Sequence, residues 1–464
     1  VVKRQWVWSV FGVWLLALSA PMFGASALSA ARVLQPEDLH YLGAFRLPNA
    51  GERPDTFAYG GEAMTFVPTG DPQGADDGFA GALFIVGHPR LPYGELPEGS
   101  RVAAVSIPAP LVASSVDQLP VAEFVQNFYK VDGDLFAELD EMPRIGLAYL
   151  DTPLTGPQIH LTWGVHLGGD ERPTQAWFSP TLNVPDPQGP WYIGDLSPYS
   201  VSGYLFTIPQ PWADAHAAGR PLATGRFRDG GWSGMGPSLI AYRPWNDDGS
   251  PPPADTRLEP TVLLLYASSE DGEDFGRALR GYQHPDEWEG GAWVSTADGQ
   301  SAVIFVGTKA TGAKYWYGYS NPADAELPCV EVEMVGMFTL CRLADGTPCP
   351  PEDLSGCVGH SDYRGWWSTN YAAQFLFYDP RDLAQVATGA LAPWQPQPYA
   401  TLNVDDRLFL PPAFEPDMIG VGAQRHYRIG AAAYDRAGGR LYVLELFADA
   451  AQPVVHVWQV GAVH

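Results

Sequence analysis

The chain has 464 residues, of which 17% are charged and 12% aromatic, with 50 glycines, 44 prolines and a formal net charge of −26. So negative a field repels phosphate backbones and argues against nucleic-acid binding, while the aromatic content argues against a disordered chain. No long stretch has an amphipathic helical period, and a turn-rich composition without one points to an all-β fold.

The first element is a targeting segment. Lys3 and Arg4 precede an apolar run over residues 6–20, and Ala25-Ser26-Ala27 is a small-residue cleavage site. Residues 1–27 are therefore expected to be a signal peptide, and residues 28–464 a single domain. The run is short for a bilayer span, no stop-transfer pattern follows it, and no cysteine follows for a lipid anchor, so no stable membrane anchor is expected. Val1 reads as a GTG start in a bacterial gene, and the protein is expected to be secreted or periplasmic. Cleavage would remove Lys3 and Arg4 and no acidic residue, leaving a still more acidic chain suited to calcium, or to neutral and cationic partners.

An orphan strand, HYLGAFRLP, comes next, followed by a repeated unit. Gly-x-[Ala/Ser] stands at Gly61-Glu62-Ala63, Gly146-Leu147-Ala148, Gly236-Pro237-Ser238, Gly290-Gly291-Ala292 and Gly430-Ala431-Ala432. After each copy comes a second apolar run: GALFIVGH, QIHLTWGVH, TVLLLYASS, SAVIFVGTK and RLYVLELF. A third strand ending at proline appears in VAAVSIPAP, GYLFTIPQP and QFLFYDPRD, each with a short Ala/Leu stretch and a fourth strand after it. Four antiparallel strands repeated radially make a β-propeller blade. The spacing predicts five four-stranded blades, the third degenerate because only residues 269–288 separate its second strand from the next repeat. Six or seven blades stay open, since an insert at about 310–370 has room to hide one. Residues 454–460 read as a third strand with no fourth after it. The orphan strand at 41–47 would supply that fourth strand and close the ring by pairing the termini, and the small residues of the signature would let inner strands crowd the axis.

Further along the chain, the turns GDPQGADDG (70–78) and VDGDLFAELDE (131–141) resemble fragments of calcium loops without the full spacing of one, so calcium is a cofactor candidate and none is certain. The loop His284-Pro285-Asp286-Glu287-Trp288-Glu289 leads to the fourth repeat, and its charge also fits a solvated loop. Lys314-Tyr315-Trp316-Tyr317-Gly318-Tyr319 offers aromatics for stacking on sugar rings, or for packing under the insert. Cys329, Cys341, Cys349 and Cys357 predict two disulfides stapling that insert, with three pairings open. A zinc site there lacks any C-x-x-C spacing.

In a propeller the first strand begins where the second ends, so both sets of residues line one funnel. The starts contribute Tyr59, Glu62, Arg144, Trp288, Glu289, Tyr427 and Arg428, and the ends His88, His166, Ser268, Lys309 and Glu445. Glu62, Glu289, His88 and His166 are the catalytic candidates, with Arg144 and Arg428 placed to keep the carboxylates ionised. Tyr59, Arg144, Trp288, Lys309, Tyr315, Trp316, Tyr427 and Arg428 are the ligand-binding candidates. His88 and His166 with Glu62 could instead hold a metal, and the whole set could be a polar rim whose members satisfy one another. Walker, Gly-x-Ser-x-Gly, haem-attachment and dinucleotide motifs are absent, which argues against NTPases, α/β-hydrolases, c-type cytochromes and Rossmann dehydrogenases.

The motifs YGGEAMTF with LFIVGH and VAAVSIP, GYQHPDEWEGGAW, GTKATGAKYWYG, FLFYDPRDLAQVATG with PWQPQPYATL, and AAYDRAGGRLYVLELFADAAQPVVHVW cover most of the mature chain. In these the chain resembles a family of uncharacterised exported bacterial β-propeller proteins. The resemblance implies an exported propeller and carries no activity with it. Three functions are consistent with the residues. The first is binding or processing of a carbohydrate or other small ligand, by a glycoside hydrolase or polysaccharide lyase if there is catalysis. The others are a non-catalytic binding or scaffold propeller and a metal-dependent enzyme using the funnel histidines.

Overall fold

The computed structural model describes Val1 and residues 32–49, 51–74, 79–87, 101–136, 144–164, 171–228, 234–268, 275–312, 314–316, 333–335, 338–343, 357–360, 366–368, 370–410, 413–416, 423–426 and 429–461. The expected signal peptide, apart from Val1, lies outside these residues, as do Cys329 and Cys349. Cys341 and Cys357 are described by backbone alone.

Strand β1 (Leu39–Arg46) opens the described chain and is left for the last sheet. The first blade is β2 (Met64–Val67), β3 (Ala82–Val86), β4 (Arg101–Val105) and β5 (Phe124–Lys130), paired in that order. The second is β6 (Arg144–Thr152), β7 (Gly156–Gly164), β8 (Gln175–Phe178) and β9 (Gln188–Ile193). The third is β10 (Tyr204–Thr207), β11 (Leu222–Gly225), β12 (Ser238–Tyr242) and β14 (Thr261–Leu265). Helix α1 (Gln210–His216) joins β10 to β11, and the two-residue β13 (Arg257–Leu258) pairs in parallel with β9 of the second blade. The fourth blade begins with β15 (Glu287–Ser295) and β16 (Ser301–Ala310). An insert then carries two small sheets: β17 (Lys314–Trp316) with β21 (Trp366–Ser368), and β18 (Glu333–Val335), β19 (Phe338–Leu343) and β20 (Cys357–His360). The fourth blade resumes with β22 (Tyr371–Tyr378), helix α2 (Pro380–Ala387) and β23 (Ala400–Asn403). A hairpin of β24 (Ala413–Pro416) and β25 (Ala423–His426) leads to the fifth blade. That blade is β26 (Ile429–Asp435), β27 (Arg440–Asp449) and β28 (Gln452–Val460), with β1 hydrogen-bonded to β28.

The molecule is thus an all-β propeller of five antiparallel blades. The innermost strands β2, β6, β10, β15 and β26 contact one another in that cyclic order, β26 packing against β2. Each blade is covered on both faces by its neighbours, which is why its middle strands read as unbroken apolar runs rather than alternating ones. ALFIV in β3 and SLIAY in β12 are wholly buried, whereas the outermost β23 is half exposed. The two-residue period of the strand sends successive side chains to opposite interfaces. In β3, Leu83 and Ile85 enter the cluster shared with the fifth blade, and Ala82, Phe84 and Val86 the cluster shared with the second. Five such clusters alternate with the five blades.

Four of the five repeat glycines lie on or just before innermost strands, and the crowding there is measurable. A Cβ on Gly146 would lie 2.7 Å from the carbonyl carbon of Tyr204 on the next inner strand. One on Gly430 would lie 2.4 Å from the carbonyl oxygen of Gly61. Only glycine allows backbones that close.

The third blade departs from expectation. Its innermost strand is β10, headed by Gly203, and Gly236-Pro237-Ser238 instead leads into its third strand, β12. GYLFTIPQP accordingly opens the third blade and is not the third strand of the second. The third and fourth strands of the second blade are the short QAWF and QGPWYI. The third blade is therefore complete, with four strands. The misleading feature was α1: its Ala-rich segment resembles the stretch containing α2, which lies between third and fourth strands, but α1 lies between first and second. Lateral packing of Gly146 against Tyr204 and Leu205 selects β10 as the inner strand.

Candidate functional site at the head end of the axis

Gly61 lies beside Gly430, and Gly146 beside Tyr204 and Leu205, so the innermost strands begin together at one end of the axis, here called the head end. Beyond it the axis narrows. The channel between the strands is lined by residues including Thr65, Tyr149, Thr207, Trp293, Tyr434 and Arg436, and has a volume of about 50 Å³. Ligand pockets are roughly 300–1,000 Å³ and one liquid water takes about 30 Å³, so the channel holds water-sized occupants and not a sugar ring.

At that end, Glu289 is the best-defined candidate. It sits on β15 where the pairing with β16 shifts register between Trp288 and Gly290, a bulge that bends the strand and re-aims its side chains. Its exposure is only 5%, although it lies near the head-end start of an innermost strand. Glu62, half-buried just before β2, is at the same end, on the first blade; the fifth blade separates it from the fourth, which carries Glu289.

The rest of the HPDEWE loop is not a solvated run of charges. Asp286 is buried, and Lys309 Nζ lies 3.0 Å from each of its carboxylate oxygens. The Ala310 N–H and the Gln283 N–H donate to the same carboxylate. Burial raises the pKa of Asp286, opposed by Lys309 and these donors. Lys309 is therefore committed to an internal ion pair. Trp288 is 1% exposed, its backbone N–H donates to Phe227 O at 2.6 Å, and its ring packs with Met235, Tyr266 and Leu279 between the third and fourth blades. Tyr59 is 41% exposed with φ of 63°, its ring 5.7 Å from Phe447 in an edge-on contact.

Glu445, at the corresponding place on the second strand of the fifth blade, is fully engaged. His456 Nε2 lies 2.8 Å away, and the N–H groups of Phe409 and Leu410 donate to its two oxygens. Tyr41 Oη is 2.9 Å from the other imidazole nitrogen, so a buried relay fastens β1, β28, β27 and the segment before β24.

Moving the third blade's inner strand to β10 changes which residue ends its second strand. Ser268 follows the outermost strand, β14, and the position falls to Arg226, which has no solvent exposure. Its Nε–H donates to Gly236 O at 2.8 Å and a terminal N–H to Tyr266 O. Beside it, Arg228 is 3.8 Å from Glu287. Arg226 was missed in the sequence as a member of this wall, and Asp286 was named there only as part of the charged loop. A head glycine at Gly203 was the signal for Arg226; nothing local marked Asp286 as the partner of Lys309.

His88, His166, Tyr427 and Arg428 lie outside the described residues. Arg144, Tyr315 and Trp316 are placed by backbone only: Arg144 begins β6 opposite Gly164, and Tyr315 pairs with Trp367. Among the described residues no group of three or more His, Cys, Asp or Glu is arranged to hold a metal. Of the two acidic turns, residues 75–78 and 137–141 lie outside the described set. In the remainder, Asp132 accepts from the N–H groups of Asp134 and Phe136, and Lys130 pairs with Asp134.

Fold and site together define a five-bladed β-propeller with carboxylates at the head of a narrow axis. Compared with known proteins, the chain matches no family model and no curated protein. Its chemistry rests on its own residues.

Proposed function

We propose that this is an exported propeller that binds and processes a carbohydrate at the head end of its axis, with Glu289 and Glu62 as the acid–base pair. The observation that supports this reading is the burial of Glu289 on a bulged inner strand above a channel too small for a sugar ring. Burying a carboxylate costs stability, and bulges recur beside active sites because they aim side chains. Two carboxylates flanking one bond are what glycoside hydrolysis uses. The chain's strong negative charge favours an uncharged or cationic glycan. Tyr59, with Tyr315 and Trp316 in the insert, is the proposed stacking surface, and His88, His166, Arg144, Tyr427 and Arg428 the proposed polar contacts.

A second reading has its own support. Lys309 and Glu445 are both consumed by internal partners, as expected of a rim that scaffolds a binding surface without chemistry. A polysaccharide panel assayed for affinity and turnover together separates the two. On the enzymatic reading, Glu289→Gln lowers turnover by about 10²-fold or more and leaves affinity nearly unchanged. Binding without turnover in the wild type selects the scaffold reading, and neither binding nor turnover on any glycan overturns both.

A further inference from the structure

At the opposite, tail end of the axis, Arg436 stands in the turn between β26 and β27 and lines the mouth of the channel. Its partners there are neutral. One terminal N–H donates to Ser295 Oγ at 3.0 Å, another to Thr207 O at 3.5 Å, and the guanidinium carbon is 5.9 Å from the centre of the Tyr434 ring. The adjacent carboxylate of Asp435 is taken by the N–H groups of Ala437 and Gly438 within the same turn. The contacts of Arg436 cover part of its guanidinium and lower its pKa, opposed by Tyr434, while the residue as a whole stays exposed. A guanidinium carries five donors in a planar fork, and the contacts with Ser295 and Thr207 use only two of them.

The channel beside it is built for something small and polar. Thr65 and Thr207 from the first and third blades line it with Tyr149, Trp293 and Tyr434. Each innermost strand pairs along one edge only, so the other edge turns backbone N–H and C=O groups toward the axis or a neighbouring blade. The Tyr149 N–H is one such donor, bonded to Thr65 Oγ1 at 2.7 Å. A space of about 50 Å³ accepts a carboxylate group or a halide, and nothing the size of a sugar.

We propose that the tail mouth of the axis is an anion site, in which Arg436 holds a small monoanion, a halide or a carboxylate, inside the channel. The test is chlorine-35 NMR on the full chain, with the wild type, Arg436→Gln and Arg436→Lys compared at equal protein concentration. The wild type is expected to broaden the chloride line, Arg436→Gln to lose that excess broadening, and Arg436→Lys to keep part of it. Added acetate should reverse the broadening by competing for the same point charge. Competition by galacturonate as well would show that the carboxylate can arrive on a larger molecule; competition by acetate alone would restrict the site to free small anions. Thermal unfolding of each variant checks that the fold is intact, since Arg436 is exposed enough to be replaced without loss of core. Equal broadening in wild type and Arg436→Gln, or none in the wild type, overturns the proposal.

Discussion

His160 shows how much a single side chain costs when packing overrides solvation. It lies fully buried on β7, its ring 5.6 Å from Trp177 and 5.9 Å from Trp245, and among the described residues neither ring nitrogen has a hydrogen-bond partner. Burial pushes its pKa down from 6.5 to about 3. The folded chain therefore prefers the neutral imidazole, and the unfolded chain binds a proton first as pH falls. Its contribution to stability is whole above about pH 6.5 and is lost progressively toward pH 3, by about 1.4 kcal/mol per pH unit. His160→Leu should flatten the pH dependence of denaturant-measured stability between pH 6 and 4 by about that slope; an unchanged slope would show that the imidazole is protonated or solvated in the folded state. Lys309 makes the complementary case. Breaking a buried pair leaves the other charge uncompensated, so Lys309→Met should destabilise the protein by about 3–5 kcal/mol. A residue serving only a ligand would instead cost affinity at unchanged melting temperature, and that pattern would refute the structural assignment. In the sequence the charge of His284 to Glu289 fitted a solvated loop, with Trp288 and Glu289 as site candidates, yet its members divide into core, ion pair and the head end of an inner strand. That division is set by partners such as Lys309 and Phe227, whose positions no local spacing reveals.

At the scale of elements, β1 is the strand on which the arrangement turns. It pairs with β28 from Leu39 opposite Val460 to Arg46 opposite Val454, and Arg46 is tied to Asp449 of β27 at 2.7 Å. Its Tyr41 reaches His456 in the same sheet. Without it, the nine residues of β28 would present an open edge, a template for aggregation. Deleting residues 32–48 should cause aggregation or a large drop in melting temperature, measured by light scattering and calorimetry. A truncated chain that melts like its parent would show that this pairing does not fasten the ring. The orphan strand and its partner were legible because each lacked a neighbour in the repeat pattern, and an unpaired edge is a physical anomaly visible without coordinates. The third blade was not legible, because QAWF and QGPWYI are too short to register as strands and α1 mimics a connection used elsewhere. There a helix-forming segment and a sheet connection have the same local composition, and only the neighbour across the blade interface separates them.

Over the whole molecule, the two ends of the axis carry different chemistry: carboxylates and buried ion pairs at the head, a guanidinium among neutral groups at the tail. Between them the channel separates the two for anything larger than a small ion. The sequence by itself determined the all-β class and the small residues of the inner strands, and it pointed to five units with six or seven left open. These follow from short-range requirements: a two-residue period to fill two interfaces, turns at regular spacing, and glycine where backbones nearly touch. Tertiary structure decided which strand of the third blade is innermost, that Trp288 belongs to the core, that Lys309 answers Asp286, and that Arg226 is buried at the wall. It also decided that the axis is narrow. Each of these depends on how far one blade lies from the next, a distance set by side chains far apart in the chain packing against one another.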